Sequence, residues 1–189
     1  MPATGSTEAD NGRLTVVAIR KLARELNTLE QEPIPGVGVD VDDDLRHLIV
    51  NFEYREGTFA GAILHLHLKF GSAYPSKPPE VRLLTKHAHS HVFNDKICFS
   101  LIEDFRWHFE SSNSPATVYW TPSVTIRRFL ESLYFFLMED DGGDGGPELP
   151  TQTLLEPQIC QMVAATKTFK CPCSDCDHTG EKPSPKVIF

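Results

Sequence analysis

Four short apolar runs follow one another through the first half of the chain, and the links between them are too short to hold a crossover helix. Each run alternates or is continuously apolar, which is typical of strands, and each link is acidic, glycine-containing or proline-rich, which favours tight turns. Short links join antiparallel neighbours. We therefore predict a four-stranded antiparallel meander. Its strands are expected within residues 37–41, 45–54, 62–70 and 81–84.

Helical periodicity on either side of these runs predicts the cover that such a sheet needs. Residues 14–31 form an amphipathic helix, and residues 124–139 are apolar almost all round, as in a helix buried against a sheet. Residues 154–169 predict a weaker, proline-interrupted final helix. The expected class is α+β. The predicted buried face of the first helix contains Ile19, Leu22, Leu26 and Leu29.

The 189 residues fit one domain, which we place at residues 14–169, after a disordered lead at 1–13 and before a Cys/His-containing tail at 170–189. A net charge of −8 argues against nucleic acid as a partner. There is no leader-like segment and no run of about 20 apolar residues, so we expect no membrane association and a cytoplasmic or nuclear location.

Residues 85–122 lack regular periodicity, and a connection of this length is usually functional. Cys98 lies in it, near Lys96 and three histidines. A reactive thiolate needs partial exposure and an electropositive neighbourhood, which these residues offer. The composition alone leaves open a buried structural cysteine. The three histidines are His87, His89 and His91.

Several ordered motifs around this cysteine resemble the ubiquitin-conjugating enzyme family over about residues 14–155. Residues 33–37 (PIPGV) are similar to the proline turn after that family's first helix, and residues 56–62 (EGTFAGA) to its glycine turn. Residues 74–81 (YPSKPPEV) nearly reproduce its Tyr-Pro-x-x-Pro-Pro-x-Val hallmark. Ile97-Cys98 stands where the family has its catalytic cysteine, and residues 120–123 (WTPS) where it has Trp-Ser-Pro.

The resemblance implies that Cys98 accepts ubiquitin or a ubiquitin-like modifier as a thioester and passes it to a lysine amine or a ligase, with no cofactor required. The family's His-Pro-Asn motif is replaced here by residues 89–91 (HSH). His91 or Asn94 is then the candidate for polarising the thioester carbonyl. The lost asparagine keeps an alternative open, namely a catalytically weak or inactive ubiquitin-binding scaffold of the same fold.

The resemblance also implies partners. The family's first helix contacts the activating enzyme through basic residues, and Arg20, Lys21 and Arg24 match them. Ligase pairing is expected to be atypical, because Ser76 replaces the aromatic residue that ligases with a RING domain usually grip, although Pro122 is present.

Compared with short members of the family, the segment between Cys98 and Trp120 contains an insertion of about a dozen residues. It carries acidic residues like those of longer family members, and with Ser123 it is predicted to shape the approach of the acceptor, unless it is simply a solvated loop. Two aromatic residues within it are less polar than a free loop requires, which favours packing of the insertion on the domain or contact with a partner. The acidic residues are Glu103, Asp104 and Glu110, and the aromatic residues are Trp107 and Phe109.

The tail holds Cys171, Cys173, Cys176 and His178, which are ligand types that zinc prefers. Four ligands within eight residues strain a tetrahedral arrangement, so a structural zinc here would need help from Cys160 or from a partner. A zinc-bearing interaction protein whose function resides in this tail is a third hypothesis.

Overall fold

The computed structural model describes residues 13–41, 45–89, 91–102, 119–138, 156–173, 176 and 178. It is an α+β fold, as predicted from the sequence. Three helices and six strands occur in the described residues. In chain order they are α1 (Val16–Gln31), β1 (Val37–Val41), β2 (His47–Glu53), β3 (Ile63–Lys69), β4 (Glu80–Leu83), β5 (Val92–Phe93), β6 (Lys96–Ile97), α2 (Ile126–Met138) and α3 (Glu156–Lys167).

Helix α1 begins at an N-cap, where the Thr15 hydroxyl accepts a hydrogen bond from the Ala18 N–H at 3.1 Å. Its buried face consists of Ala18, Leu22, Glu25 and Leu29. The prediction that Ile19 lies on this face was wrong, because Ile19 is 40% exposed. One residue further along a helix lies about 100° around its axis, which turns Ile19 away from the sheet once Ala18 faces it.

The strands β1 to β4 form one antiparallel sheet in sequence order, which confirms the predicted meander. Every second residue points towards the helices. On β3 these are Leu64, Leu66 and Leu68, all fully buried. Leu66 lies between Val50 on β2 and Leu83 on β4, so the core runs across the middle of the sheet.

Helix α2 covers this inner face, as predicted, and its buried residues include Phe129, Leu130 and Leu133. Its N-terminus is bound to α1, because the Glu25 carboxylate accepts the Ile126 N–H at 2.9 Å and pairs with the Lys21 ammonium. A carboxylate at a helix N-terminus satisfies backbone donors that have no partner within the helix. This contact fixes the two helices against each other.

The outer face of the sheet is also covered in part, by the end of α3 and the residues that follow it. The Thr166 hydroxyl, which is buried, accepts the Ile63 N–H at 3.1 Å. The prediction that a proline interrupts the final helix was wrong, because Pro157 lies in the first turn of α3, where a missing N–H costs no helical hydrogen bond. No helix in the described residues has both the length and the apolar character that a membrane crossing requires.

Candidate active site

The loop after β4 contains a small hairpin that periodicity did not predict. Val92 on β5 pairs with Ile97 on β6, and the turn between the strands contains Asn94, whose φ is +61°. Asparagine tolerates this left-handed conformation better than most residues. Asn94 is exposed at the hairpin tip, four residues before Cys98. A turn role therefore accounts for Asn94.

Cys98 lies directly opposite His91, one step beyond the last strand pair of the hairpin. The Cys98 N–H donates to the His91 carbonyl at 2.8 Å, which continues the register of the Val92–Ile97 pair. Side chains of opposed residues project from the same face of a hairpin, with Cβ atoms about 5 Å apart. The imidazole of His91 and the thiol of Cys98 thus start from neighbouring positions.

The thiol itself is half-buried, between two anchored neighbours. Ile97 and Phe99 on either side are buried, and the Phe99 ring packs on Phe136 of α2 with 4.7 Å between ring centroids. The backbone at Cys98 is therefore held by core packing while its side chain keeps access to solvent. Partial exposure on a fixed backbone suits a nucleophilic cysteine.

His89 ties the cysteine loop to the C-terminal end of α2. Its Nε2 lies 3.0 Å from the Phe136 carbonyl, and its Nδ1 lies 3.2 Å from the His91 N–H. The carbonyl can only accept and the N–H can only donate, so the proton of neutral His89 is assigned to Nε2. The imidazole is 6% exposed, which indicates a structural role.

His87 and Tyr54 bind the next carbonyl of the same helix end. The Tyr54 hydroxyl donates to the Leu137 carbonyl at 2.6 Å, and His87 Nε2 lies 3.1 Å from the same oxygen. Burial raises the pKa of Tyr54, which keeps the phenol a donor. The last carbonyls of a helix lack partners within it, so these side chains cap α2. From the sequence, His87, His89 and His91 were expected to share one role, an electropositive neighbourhood for Cys98, whereas in the structure His87 and His89 are helix caps.

An open groove of about 550 Å³ is lined by Ile97 and Ser100, which are near Cys98 in the chain, but not by Cys98 itself. Trp120 forms part of its wall and donates from Nε1 to the Pro75 carbonyl at 2.8 Å, so two of the motifs seen in the sequence contact each other. Ser76 also lines the groove. Its cationic lining residues are Lys77, Arg82 and Lys96.

Of the remaining candidates near the cysteine, Pro122 and Ser123 are exposed, and the Ser123 hydroxyl lies 2.7 Å from that of Thr121. The predicted acidic insertion lies at residues 103–118, outside the described residues. Its predicted role thus remains a prediction.

The basic residues of α1 divide into two groups. Arg20 and Arg24 are exposed, as a contact surface requires. Lys21 differs from the prediction, because its side chain is 12% exposed and its ammonium donates to the Val124 carbonyl at 3.2 Å besides pairing with Glu25. The Lys21 ammonium therefore helps to hold α1 against the start of α2.

A second group of cysteines and histidines forms where the tail meets β3. One ligand atom each from His65, His67, Cys171 and Cys176 lies within 4.8 Å of all the others, and such a group could hold a metal ion. The predicted ligand Cys173 is not among these four, and neither is the tail residue His178. Its ring is instead stacked on His65 with 4.1 Å between centroids. Cys160 is exposed on α3.

The antiparallel meander, the helices that cover it and the half-buried cysteine that directly follows the small hairpin define an α+β domain with a partly accessible thiol. A sequence model of the family described as "Ubiquitin-conjugating enzyme" matches residues 21–153, which is most of the chain. The chain belongs to the ubiquitin-conjugating enzyme family.

Individual relatives and a solved structure are similar to this chain. Ubiquitin-conjugating enzyme E2 13 of Schizosaccharomyces pombe is 30% identical over 117 residues, which cover 60% of this chain and 70% of that protein. Ubiquitin-conjugating enzyme E2 N of Drosophila melanogaster is 27% identical over 129 residues, which cover 66% and 76%. The crystal structure of a ubiquitin-conjugating enzyme E2 from Plasmodium falciparum matches with a TM-score of 0.53 at 24% identity, covering 74% of this chain and 94% of that one. This last match supports the fold alone.

Proposed function

We propose that the chain is an active ubiquitin-conjugating enzyme in which Cys98 carries ubiquitin, or a ubiquitin-like modifier, as a thioester. The observation that carries this proposal is the half-buried thiol of Cys98, held by buried neighbours. The motif resemblance assigns the family's catalytic cysteine to this position. Membership in the family supplies the chemical class of the reaction.

Loading is a thioester exchange. The Cys98 thiolate attacks the carbonyl carbon of a modifier already bound as a thioester to its activating enzyme. A new carbon–sulfur bond forms at Cys98, the old one breaks, and the activating enzyme's cysteine leaves as a thiolate. The attacking thiolate is a strong nucleophile with no proton to lose, so this step demands less of the catalytic groups than attack by an amine does.

Transfer makes a greater demand on the site. A neutral lysine amine attacks the thioester carbonyl, the carbonyl oxygen becomes an oxyanion, and the Cys98 thiolate leaves as the amide bond forms. The oxyanion needs a hydrogen-bond donor and the amine loses a proton. We assign one of these tasks to His91, because it lies opposite Cys98. Asn94, at the exposed hairpin tip, is the weaker candidate.

The proposed partners follow from the same surfaces. Arg20 and Arg24 on the exposed face of α1 are assigned to the activating enzyme, and Lys21 is withdrawn from this set. Ligase contact is proposed to be atypical, since Ser76 offers no aromatic side chain, while Pro122 is exposed and available for contact.

The experiment incubates the full chain with ubiquitin, activating enzyme and ATP, and compares non-reducing with reducing gels. We expect an adduct that reducing agent removes from the wild type and an adduct that resists reduction in Cys98→Ser, because an oxygen ester replaces the thioester. Cys160→Ser is the matched control, since that thiol is exposed on α3. A reducible adduct that survives in Cys98→Ala would exclude Cys98 as the carrier.

A second candidate is the non-catalytic scaffold, which the residues 89–91 (HSH) favour because the family's asparagine is missing. This candidate predicts that ubiquitin binds without ATP and that no adduct forms with ubiquitin or with a panel of ubiquitin-like modifiers. An adduct that forms and then discharges to free lysine would exclude it.

A further inference from the structure

Three cysteine sulfurs of the tail lie together against the outer face of the sheet. The Cys173 sulfur is 3.2 Å from that of Cys171 and 3.0 Å from that of Cys176. These distances are well above the length of about 2.05 Å for a disulfide bond, and all five cysteines of the chain are free thiols. The three sulfurs therefore form one unbonded group.

His67 completes this group from the opposite side. Its Nε2 lies 3.7 Å from the sulfur of Cys171, 3.7 Å from that of Cys173 and 3.9 Å from that of Cys176. A zinc ion about 2.3 Å from each sulfur and about 2.0 Å from a nitrogen would separate its ligand atoms by about 3.5–3.8 Å. The three nitrogen–sulfur distances are thus within about 0.4 Å of tetrahedral spacing, and the two sulfur–sulfur distances from Cys173 need to open by about 0.6–0.8 Å around the ion.

The position of His67 removes the difficulty that the sequence spacing raised. Three ligands come from six consecutive residues of the tail, and the fourth comes from β3, more than a hundred positions earlier in the chain. The side chains of His65 and His67 share the outer face because they are two residues apart on one strand. The sheet therefore supplies the separated ligand that the tail alone lacks.

The surrounding residues support the same arrangement. His65 Nδ1 lies 2.7 Å from the Asn51 side-chain oxygen, its Nε2 lies 3.5 Å from the Cys176 sulfur, and its ring is stacked on His178. The Cys171 N–H donates to the His178 carbonyl at 3.0 Å, which closes the tail into a loop around the sulfurs. His65 and His178 thus form the wall of the site.

We propose that Cys171, Cys173, Cys176 and His67 bind one structural zinc ion that fastens the tail to the outer face of the sheet. Thiolate and imidazole ligands in a tetrahedral arrangement select zinc over magnesium or calcium, which prefer oxygen ligands. Four protein ligands leave no open position for a substrate, so the ion holds structure and takes no part in transfer. The proposal does not depend on the conjugating activity.

The first test measures zinc in the full chain, purified without chelator, by elemental analysis. We expect one zinc per chain. After exchange, cobalt(II) should give the visible bands of tetrahedral coordination and strong sulfur-to-metal charge transfer in the near ultraviolet. A chain without zinc that also gives no such cobalt spectrum would overturn the proposal.

The second test distinguishes the ligand set by substitution. Cys173→Ser and His67→Ala should each lower zinc occupancy at least tenfold after dialysis against a weak chelator, and Cys173→Ser should also weaken the charge-transfer band. Cys160→Ser is the matched cysteine control and His47→Ala, at the start of β2, the matched histidine control, and both should keep one zinc. Loss of zinc in His178→Ala with full retention in His67→Ala would refute the assignment.

A third measurement uses only the wild-type chain, so it remains decisive where a variant fails to fold. Thiol alkylation followed by peptide mass spectrometry should modify Cys160 at once, and should modify Cys171, Cys173 and Cys176 only after a strong chelator is added. Equal alkylation of all four thiols before and after chelation would contradict a bound metal.

Discussion

Cys98 and the cysteines of the tail both lie among histidines, yet the two regions have opposite arrangements. Near Cys98, the Nε2 atoms of His87 and His89 are directed at main-chain carbonyls at the end of α2. At the tail, His67 Nε2 is directed at three sulfurs. Where the imidazoles cap a helix, the neighbouring thiol is the one proposed to react, and where an imidazole faces the thiols, they are proposed to bind a metal. The two proposed roles of cysteine thus differ in which atom the ring nitrogens contact.

The largest expected effect is complete loss of the reducible ubiquitin adduct in Cys98→Ala, because no other thiol occupies its position. The same change should leave the zinc content at one per chain, since Cys98 is outside the tail cluster. Conversely, a Cys173→Ser chain that remains folded should still form the adduct. An adduct that depended on Cys173 would show that Cys98 and the tail cysteines do not have separate roles.

Metal removal should lower thermal stability substantially. A ligand present at about a thousand times its dissociation constant stabilises the folded state by about 4 kcal/mol. For a chain of this size each kcal/mol corresponds to about 2–4 °C. We therefore expect chelation to lower Tm by about 8–16 °C in calorimetry, and added zinc to restore it. An unchanged Tm would show that the tail cluster contributes nothing to stability.

Substitution of His91 should separate the two chemical steps. Because a thiolate attacks more readily than an amine and has no proton to lose, His91→Ala should load normally and discharge to free lysine about a hundredfold more slowly, the usual effect of losing one oxyanion donor. His91→Asn restores the family's residue type and should discharge at least as fast as the wild type. The check is a single-turnover discharge assay, in which equal rates for all three proteins would remove His91 from the mechanism.

Loss of a helix cap should lower the stability of the fold rather than the ability of Cys98 to be loaded. His89→Ala removes a buried partner of the Phe136 carbonyl, and leaving a buried polar group unsatisfied costs about 1–3 kcal/mol. Urea denaturation should detect this loss without a change in zinc content. A stable His89→Ala protein that cannot be loaded would instead point to direct participation in the chemistry.

The smallest effect is expected at the hairpin tip. Asn94→Gly preserves the left-handed turn and removes the side-chain amide, so both stability and lysine discharge should remain close to those of the wild type. A discharge rate at least tenfold lower would return Asn94 to the site and would weaken the assignment of His91.

Much of this fold could be predicted from the sequence, because its main elements are long and strongly periodic. Alternation and short links predicted β1 to β4 in the right order, and the apolar pattern of residues 124–139 predicted the helix that covers them. The hairpin at Cys98 was missed because two strands of two residues each are too short to show a period. Its presence depends on tertiary packing.

The site residues were harder to predict because their roles depend on which atoms meet in space. Spacing along the chain grouped His178 with the tail cysteines, although β3 places His67 over their sulfurs. The signal for His67 was present in the alternation of residues 63–69, which puts two histidines on the face away from the leucines. What the sequence lacked was the information that the tail folds back onto that face.

Helix α2 is bound by side chains at both ends, with Glu25 at its N-terminus and His89 near its C-terminus. Its 13 residues span about 20 Å, so it acts as a strut of fixed length between α1 and the cysteine loop. A protein that docks on the exposed arginines of α1 therefore meets a thiol at a set distance and angle. The distance from the proposed docking surface on α1 to the Cys98 sulfur is therefore set by one rigid helix that is anchored at both ends.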